Sequence, residues 1–404
     1  MAEKTKALSD QALELVEGFL PAAGAASGSY ELPDAVVDAP LADADLSALA
    51  SVTLGRITDD KLVFPDPDVL VERALVALLG GNLILHGPPG TGKTHLARLL
   101  ASVFEVAMDE ATGTPEWSTY DTIGGLRPAV GPRGSEVLQP WLGNVTAAAL
   151  KCGRLVREHL DSGSGPQANW LLVDELSRAD IDKAIGPLYT ALSGRRAAAR
   201  SVPLWFETAP ERASVTLPER FRIVGTMNDV DTAFVNQISQ GLQRRFKFVF
   251  VGVPSQEQTE TELEQLAKQA GLWYGTAYGG VAEADREQYA ADFADEDRVR
   301  NALKTLQEFV DYLRWQEDGP RWPIGSAQLA DVLQQLAIRA FADTAQQNLA
   351  DGLDRAVADQ LIPLASGLTE EEFEPMANWL SSSPLERSAR ALQQLRTPHR
   401  TLTS

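Results

Sequence analysis

Gly87-Pro88-Pro89-Gly90-Thr91-Gly92-Lys93-Thr94 fits the pattern G-x-x-x-x-G-K-[ST] at every fixed position. The run Asn82-Leu-Ile-Leu-His86 before it is short and apolar and reads as a strand, and Thr94 to Phe104 after it reads as a helix. Strand, glycine loop and helix N-terminus in that order make a phosphate cradle. Glycines let backbone N–H groups approach phosphate oxygens with no Cβ in the way. The helix N-terminus adds unpaired donors and a partial positive charge. On this reading Gly87, Pro88, Pro89, Gly90, Thr91, Gly92, Lys93, Thr94 and His95 bind a nucleoside triphosphate. Lys93 meets the β- and γ-phosphates, and the Thr94 hydroxyl ligates Mg²⁺.

Further along, Trp170-Leu-Leu-Val-Asp174-Glu175 is an apolar strand that ends in two carboxylates. The carboxyl ends of strands in a parallel sheet line the ligand crevice. Asp174 there holds Mg²⁺ through water, and Glu175 orients and deprotonates an attacking water. Two more apolar runs, Arg222-Ile-Val-Gly-Thr226 and Phe246-Lys-Phe-Val-Phe-Val251, are separated by helical stretches. Apolar strands alternating with helices predict a three-layer α/β core with a mostly parallel sheet covered on both faces. After Pro254 the strand signals stop and amphipathic helices follow. Leu303, Leu306, Phe309, Val310 and Leu313 mark one, and Leu329, Val332, Leu333 and Leu336 another.

Three regions are therefore expected. Residues 1–60 carry an N-terminal helix, with Leu8, Ala12, Leu15, Phe19 and Leu20 near one face, and then an Ala- and Asp-rich arm. The composition of Ala22 to Ala50 reads as a linker or a weakly ordered segment. Residues 61–253 form the α/β core with hairpin inserts, and residues 254–404 form a helical lid with a C-terminal helical extension.

Charge and composition narrow the function classes. Acidic residues outnumber basic ones by 56 to 36, for a net charge of −20. A face that grips a nucleic-acid backbone shows the opposite balance, so no direct nucleic-acid contact is expected. The single cysteine, Cys152, excludes an intrachain disulfide. His86, His95, His159 and His399 do not fall at metal-ligand spacing. With neither a signal peptide nor a membrane-length apolar run, a cytoplasmic protein without membrane contact is expected.

Four motifs in order carry a family resemblance. They are Tyr120-Asp-Thr-Ile-Gly-Gly-Leu-Arg-Pro128; Leu172-Val-Asp-Glu-Leu-Ser-Arg-Ala-Asp-Ile-Asp-Lys183; Phe221-Arg-Ile-Val-Gly-Thr-Met-Asn228; and Gln243-Arg-Arg-Phe246. Together with the phosphate loop they resemble the MoxR, McrB and dynein-related branch of AAA+ ATPases, over about Val63 to Val251. The resemblance implies a P-loop NTPase (AAA+) core with an all-helical lid, using ATP and Mg²⁺. It implies that Asn228 is a sensor that reaches the γ-phosphate and the water. It implies that Arg244 or Arg245 points into the neighbouring subunit's nucleotide, in a homo-oligomeric ring such as a hexamer. Relatives act as chaperone-like partners of von Willebrand A proteins or as motors in restriction and defence, so the expected partner is an effector, nuclease or von Willebrand A type protein. Hairpin inserts are implied near Arg127 to Gly134 and between Gly194 and Pro218, where Trp117, Tyr120, Trp141 and Trp205 form insert core or partner contacts.

The chain departs from the family at two points. McrB-type GTPases carry Met-Asn-x-x-Asp-Arg-Ser, whereas here Asp231 is followed by Thr232 and Ala233, which argues for ATP. MoxR relatives have a lid arginine near Gln328; here Arg321 is the nearby candidate. The leading reading is an ATP-hydrolysing ring subunit that remodels a partner protein. A nucleotide-gated assembly scaffold with little turnover and a McrB-like GTPase motor are the alternatives.

Overall fold

The computed structural model describes residues 29–42, 44–130, 135–228, 239–278, 280–317, 319–342 and 348–396. The expected helix around Leu8 to Leu20, the turn at 131–134 and the run containing Asp231, Thr232 and Ala233 lie outside the described residues.

Nine strands are described: β1 (Asn82–Gly87), β2 (Ala107–Thr112), β3 (Gly124–Val130), β4 (Glu136–Leu142), β5 (Asn169–Asp174), β6 (Ser201–Pro203), β7 (Ser214–Thr216), β8 (Ile223–Asn228) and β9 (Phe246–Phe250). Five make one all-parallel sheet in the order β2-β5-β8-β1-β9. Successive residues Leu83, Ile84 and Leu85 of β1 are all buried, as are Trp170 to Val173 of β5. Side chains alternate between faces along a strand, so helices must cover both faces, which gives the three-layer core expected from the sequence. Register brings the carboxyl ends together: Gly87 lies opposite Asn228, and Thr112 opposite Asp174. The other four strands form two hairpins, β3 with β4 and β6 with β7.

β2 is not among the strands expected from the sequence. It is a sheet edge, and its run AMDEAT is interrupted by two acids and only partly buried. Arg98 binds Glu110 through two bonds of 2.7 Å, and Lys151 pairs with Asp109. The Arg98 guanidinium holds the Glu110 carboxyl below the ordinary carboxylate range.

The arm also differs from its composition. From Ser29 onward it is packed on the core and does not behave as a linker. Tyr30, Val36, Val37 and Ala39 are buried, and the helix Leu46–Asp59 buries Leu49, Thr53 and Ile57. Buried cations hold its backbone: Arg200 donates to the Val37 carbonyl at 3.0 Å, and Arg220 to the Pro40 carbonyl at 2.6 Å. Leu32 fills the space left by Gly153 in the helix Asn144–Ser162, where a Cβ would stand 2.2 Å from its Cδ1.

After β9 the chain is helical, beginning with Thr259–Ala277, Arg286–Asp295 and Asp297–Trp315, and it buries a second core that includes Leu306, Phe309, Leu333 and Met376. A buried ion pair organises this region. Arg314 donates to Glu262 at 2.6 Å, and both side chains are at most 1% exposed. Arg314 also donates to the Ile324 carbonyl, and the Ser326 hydroxyl donates to Glu262. The pair thereby fixes the segment 324–326 that meets the phosphate loop. No helix among the described residues is long and apolar enough to cross a membrane.

Candidate functional site

The phosphate loop joins β1 to the helix Lys93–Val103. Gly90 and Gly92 have φ of +76° and +81°, left-handed values that suit glycine. A Cβ on Gly87 would stand 2.1 Å from the Val251 carbonyl oxygen, so this position is closed to any other residue. Lys93 is buried and donates to the Gly87 and Pro88 carbonyls at 3.0 and 2.6 Å. Thr91 donates to the Pro88 carbonyl at 3.0 Å.

Thr94 and Asp174 meet at the mouth of the loop. The Thr94 hydroxyl donates to Asp174 Oδ1 at 2.8 Å. The Thr226 hydroxyl donates to the same oxygen at 2.5 Å and accepts the Glu175 N–H at 3.0 Å. Thr226 thus couples the two acidic neighbours, a role that no local motif in the sequence assigns to it. Glu175 sits at φ +53°, and its carboxylate pairs with Arg178 at 2.8 Å. That pair is likewise absent from the sequence reading, although Arg178 lies inside the quoted motif. Asn228 ends β8 directly beside Gly87. His95 turns its ring to Asp60, 3.1 Å away, so its side chain is engaged outside the loop.

These residues fit a Mg²⁺ nucleotide. The ion takes oxygen ligands and keeps several waters, with one or two carboxylates plus substrate phosphates. Hydroxyl and carboxylate oxygens of Thr94 and Asp174 converge in that way. Among the described residues, no group of three or more His, Cys, Asp or Glu side chains offers an all-protein cage.

The helical region closes one side of the loop. Ala327 N–H donates to the Gly90 carbonyl at 3.0 Å. A Cβ on Gly325 would lie 2.3 Å from the Pro89 oxygen, and one on Gly90 would lie 2.2 Å from Gln328 Oε1. Gln328, near which MoxR relatives have an arginine, is thus packed on the loop, with Oε1 buried and without a partner among the described residues.

The arginine pair is elsewhere. Phe246 lies opposite Asn82, so Arg244 and Arg245 precede β9 at the amino end of β1. The six residues of β1, at about 3.3 Å per residue, put roughly 17 Å between that end and Gly87. The pair also divides in role. Arg245 donates to the Tyr189 carbonyl at 2.6 Å and the Gly241 carbonyl at 2.8 Å, and lies 4.7 Å over the Tyr189 ring. Arg244 is exposed, and its side chain has no hydrogen bond or ion pair among the described residues.

Known proteins resemble the chain over this core. Residues 82–246 match the model of the AAA domain (dynein-related subfamily). The chain is 30% identical over 192 residues to the type IV methyl-directed restriction enzyme EcoKMcrB subunit of Escherichia coli (strain K12), a match that takes in 45% of this chain and 38% of that protein's length. Among solved structures, NtrX from Brucella abortus aligns at a TM-score of 0.45 with 14% identity, over 85% of this chain and 72% of that one. NtrX in complex with ATP aligns at 0.43 with 16% identity, over 87% and 74%. Likenesses of that degree decide nothing about this chain. The family match over residues 82–246, the McrB-like sequence and the order of the motifs around the phosphate loop agree, and they support an AAA+ ATPase domain of the McrB- and dynein-related branch in that part of the chain.

Proposed function

We propose that the chain is an ATP-hydrolysing subunit of a homo-oligomeric ring, a hexamer in the simplest case, that uses turnover to remodel or activate a partner protein. The observation that carries this reading is the separation between the two halves of the catalytic set. Lys93, Thr94, Asp174, Glu175 and Asn228 gather at the carboxyl end of the sheet, while Arg244 stands exposed at the amino end. Roughly 17 Å of strand is beyond the reach of a side chain, so Arg244 serves a nucleotide on another copy.

In this reading Gly87 to Thr94, with the backbone of His95, hold the phosphates. Lys93 leaves its carbonyl partners for the β- and γ-phosphates. Mg²⁺, when bound through Thr94 and Asp174, neutralises charge on those phosphates. Glu175 accepts a proton from the attacking water once it parts from Arg178, and Asn228 orients that water. Arg244 of the next copy offsets charge on the transferring group. The lid contact at Gly325 to Gln328 couples nucleotide state to the angle between core and lid.

The hairpins supply the partner face. Val130, Leu138 and Trp205 are 80%, 64% and 75% exposed, and Arg127 stacks on Trp141 at 4.1 Å. Trp117, by contrast, is buried core. The net charge of −20 favours a protein partner over direct contact with nucleic acid. The EcoKMcrB likeness supports a restriction or defence setting for that partner, and a cytoplasmic location fits that setting.

Glu175→Gln tests the chemistry: phosphate release should vanish while ATP binding persists. Wild-type turnover in that variant would refute the reading. Gln328 in place of a lid arginine favours the scaffold alternative, which predicts ATP-dependent assembly in sedimentation with no phosphate release from the wild-type protein.

A further inference from the structure

At the amino end of β1 the chain forms an open cleft of about 800 Å³, lined in part by Gly81, Asn82, Ala197 and Pro218. Seven cationic side chains border it against two carboxylates, in a chain whose net charge is −20. They divide into a floor and a rim.

The floor cations are satisfied within the fold. Arg200 pairs with Asp38 at 2.6 Å and Glu219 at 2.7 Å, Arg222 donates to the Leu78 carbonyl at 2.7 Å, and Arg245 is tied to Tyr189. They consume both carboxylates. The rim consists of Arg195, Arg196, Arg244 and Lys247, all exposed and none with a side-chain hydrogen bond or ion pair to another described residue. The Arg245 clamp explains why they meet. It joins the chain just before β9 to the helix Tyr189–Leu192, whose continuation carries Arg195 and Arg196. Four such cations around one cleft raise the local positive potential, and a polyanion gains from meeting them together.

We infer that this rim is a cradle for the triphosphate of a nucleotide held on the phosphate loop of a second copy, with Arg195, Arg196 and Lys247 binding the phosphates beside Arg244. This rests on the ring reading and deepens it from one arginine to a four-cation site. The chain itself carries the complementary surface. The loop face of a second copy presents Asp174 and Glu175 together with its bound phosphates, and the rim's own phosphate loop lies roughly 17 Å away along β1. Arginine forks bind phosphate oxygens bidentately, which suits Arg195 and Arg196 to positioning.

The test measures ATP turnover against protein concentration for the wild type, R195A/R196A and R195K/R196K, with thermal unfolding as the check on folding. In R195A/R196A the concentration for half-maximal turnover should rise about tenfold or more, the factor that about 1.4 kcal/mol carries. R195K/R196K, which keeps the charge, should fall between the two. ATP binding by dilute protein should match the wild type in both, since each copy's own loop is intact. A wild-type half-point in R195A/R196A overturns the inference, and so does lost ATP binding at dilution, which would place the rim in its own copy's site. Inorganic tripolyphosphate separates the two sources of phosphate: binding to the rim of dilute protein more tightly than the wild-type assembly half-point would assign the cradle to a free polyanion and overturn it. Loss of turnover in Arg244→Ala with R195A/R196A unaffected sinks this inference alone. Wild-type turnover in both Arg244→Ala and Glu175→Gln sinks the ring reading beneath it.

Discussion

Thr226→Val separates positioning from binding at this site. Thr226 is 3% exposed, and its hydroxyl joins Asp174 Oδ1 to the Glu175 N–H. Valine keeps the branched shape, so no cavity opens, but both bonds go. A hydrogen bond to a charged acceptor contributes about 1.5–3 kcal/mol, and a buried donor left unmade costs about 1–3 kcal/mol. Asp174 and Glu175 are only partly buried, so water recovers some of this. The expected loss of stability is about 2–3 kcal/mol, or a fall in Tm of roughly 4–12 °C at about 2–4 °C per kcal/mol. Glu175 also loses the tie that fixes its φ of +53°. Its carboxylate is then displaced from the attacking water, and kcat should fall about tenfold to a hundredfold, or about 1.4–2.7 kcal/mol. The affinity for ATP should hold, because Lys93 and the loop amides are untouched. Calorimetric unfolding, a phosphate-release assay and a nucleotide titration measure the three quantities. A wild-type kcat in a folded Thr226→Val protein would refute the claim that Thr226 positions the base.

Two other perturbations probe the surroundings. Gly325→Ala places a Cβ 2.3 Å from the Pro89 oxygen, a clash of backbone against lid that no rotamer relieves. It should push the lid off the loop and weaken ATP binding by about 1–3 kcal/mol, the usual cost of overpacking, read by nucleotide titration; unchanged affinity would show that the lid contact does not bear on the nucleotide. Cys152 is fully buried, and burial pushes its thiol up to about 12. It therefore stays protonated in a disulfide-exchange assay at about pH 8, where it should react only after unfolding; rapid labelling of native protein would contradict the packing of the helix Asn144–Ser162 on β5.

What the sequence revealed follows from how each element is buried. β1, β5 and β8 lie inside a covered parallel sheet, so their apolar runs stand out, and β9, the other edge, is legible because its run is still rich in Phe and Val, with Phe246 and Val249 buried. β2 stays hidden because its edge position lets Asp109 and Glu110 pair with Lys151 and Arg98. The arm stays hidden because its anchoring is by backbone carbonyls to Arg200 and Arg220, partners far along the chain. The loop glycines and the acidic pair are legible as local motifs. Thr226 is not, since its importance lies in bridging two strands. Arg244 and Arg245 are adjacent and alike in sequence; only the Tyr189 and Gly241 carbonyls, which take up Arg245, tell them apart.

The central claim is that one site is built from two copies. An equimolar mixture of Glu175→Gln and Arg244→Ala proteins tests it most directly. Each is inactive by itself in this account, one lacking the base and the other the trans cation. In mixed rings, a loop of the Arg244→Ala copy faces the intact Arg244 of a Glu175→Gln copy, and turnover should rise above that of either protein alone. A mixture no more active than its parents, at concentrations where mixed assembly is seen by sedimentation, would contradict the account.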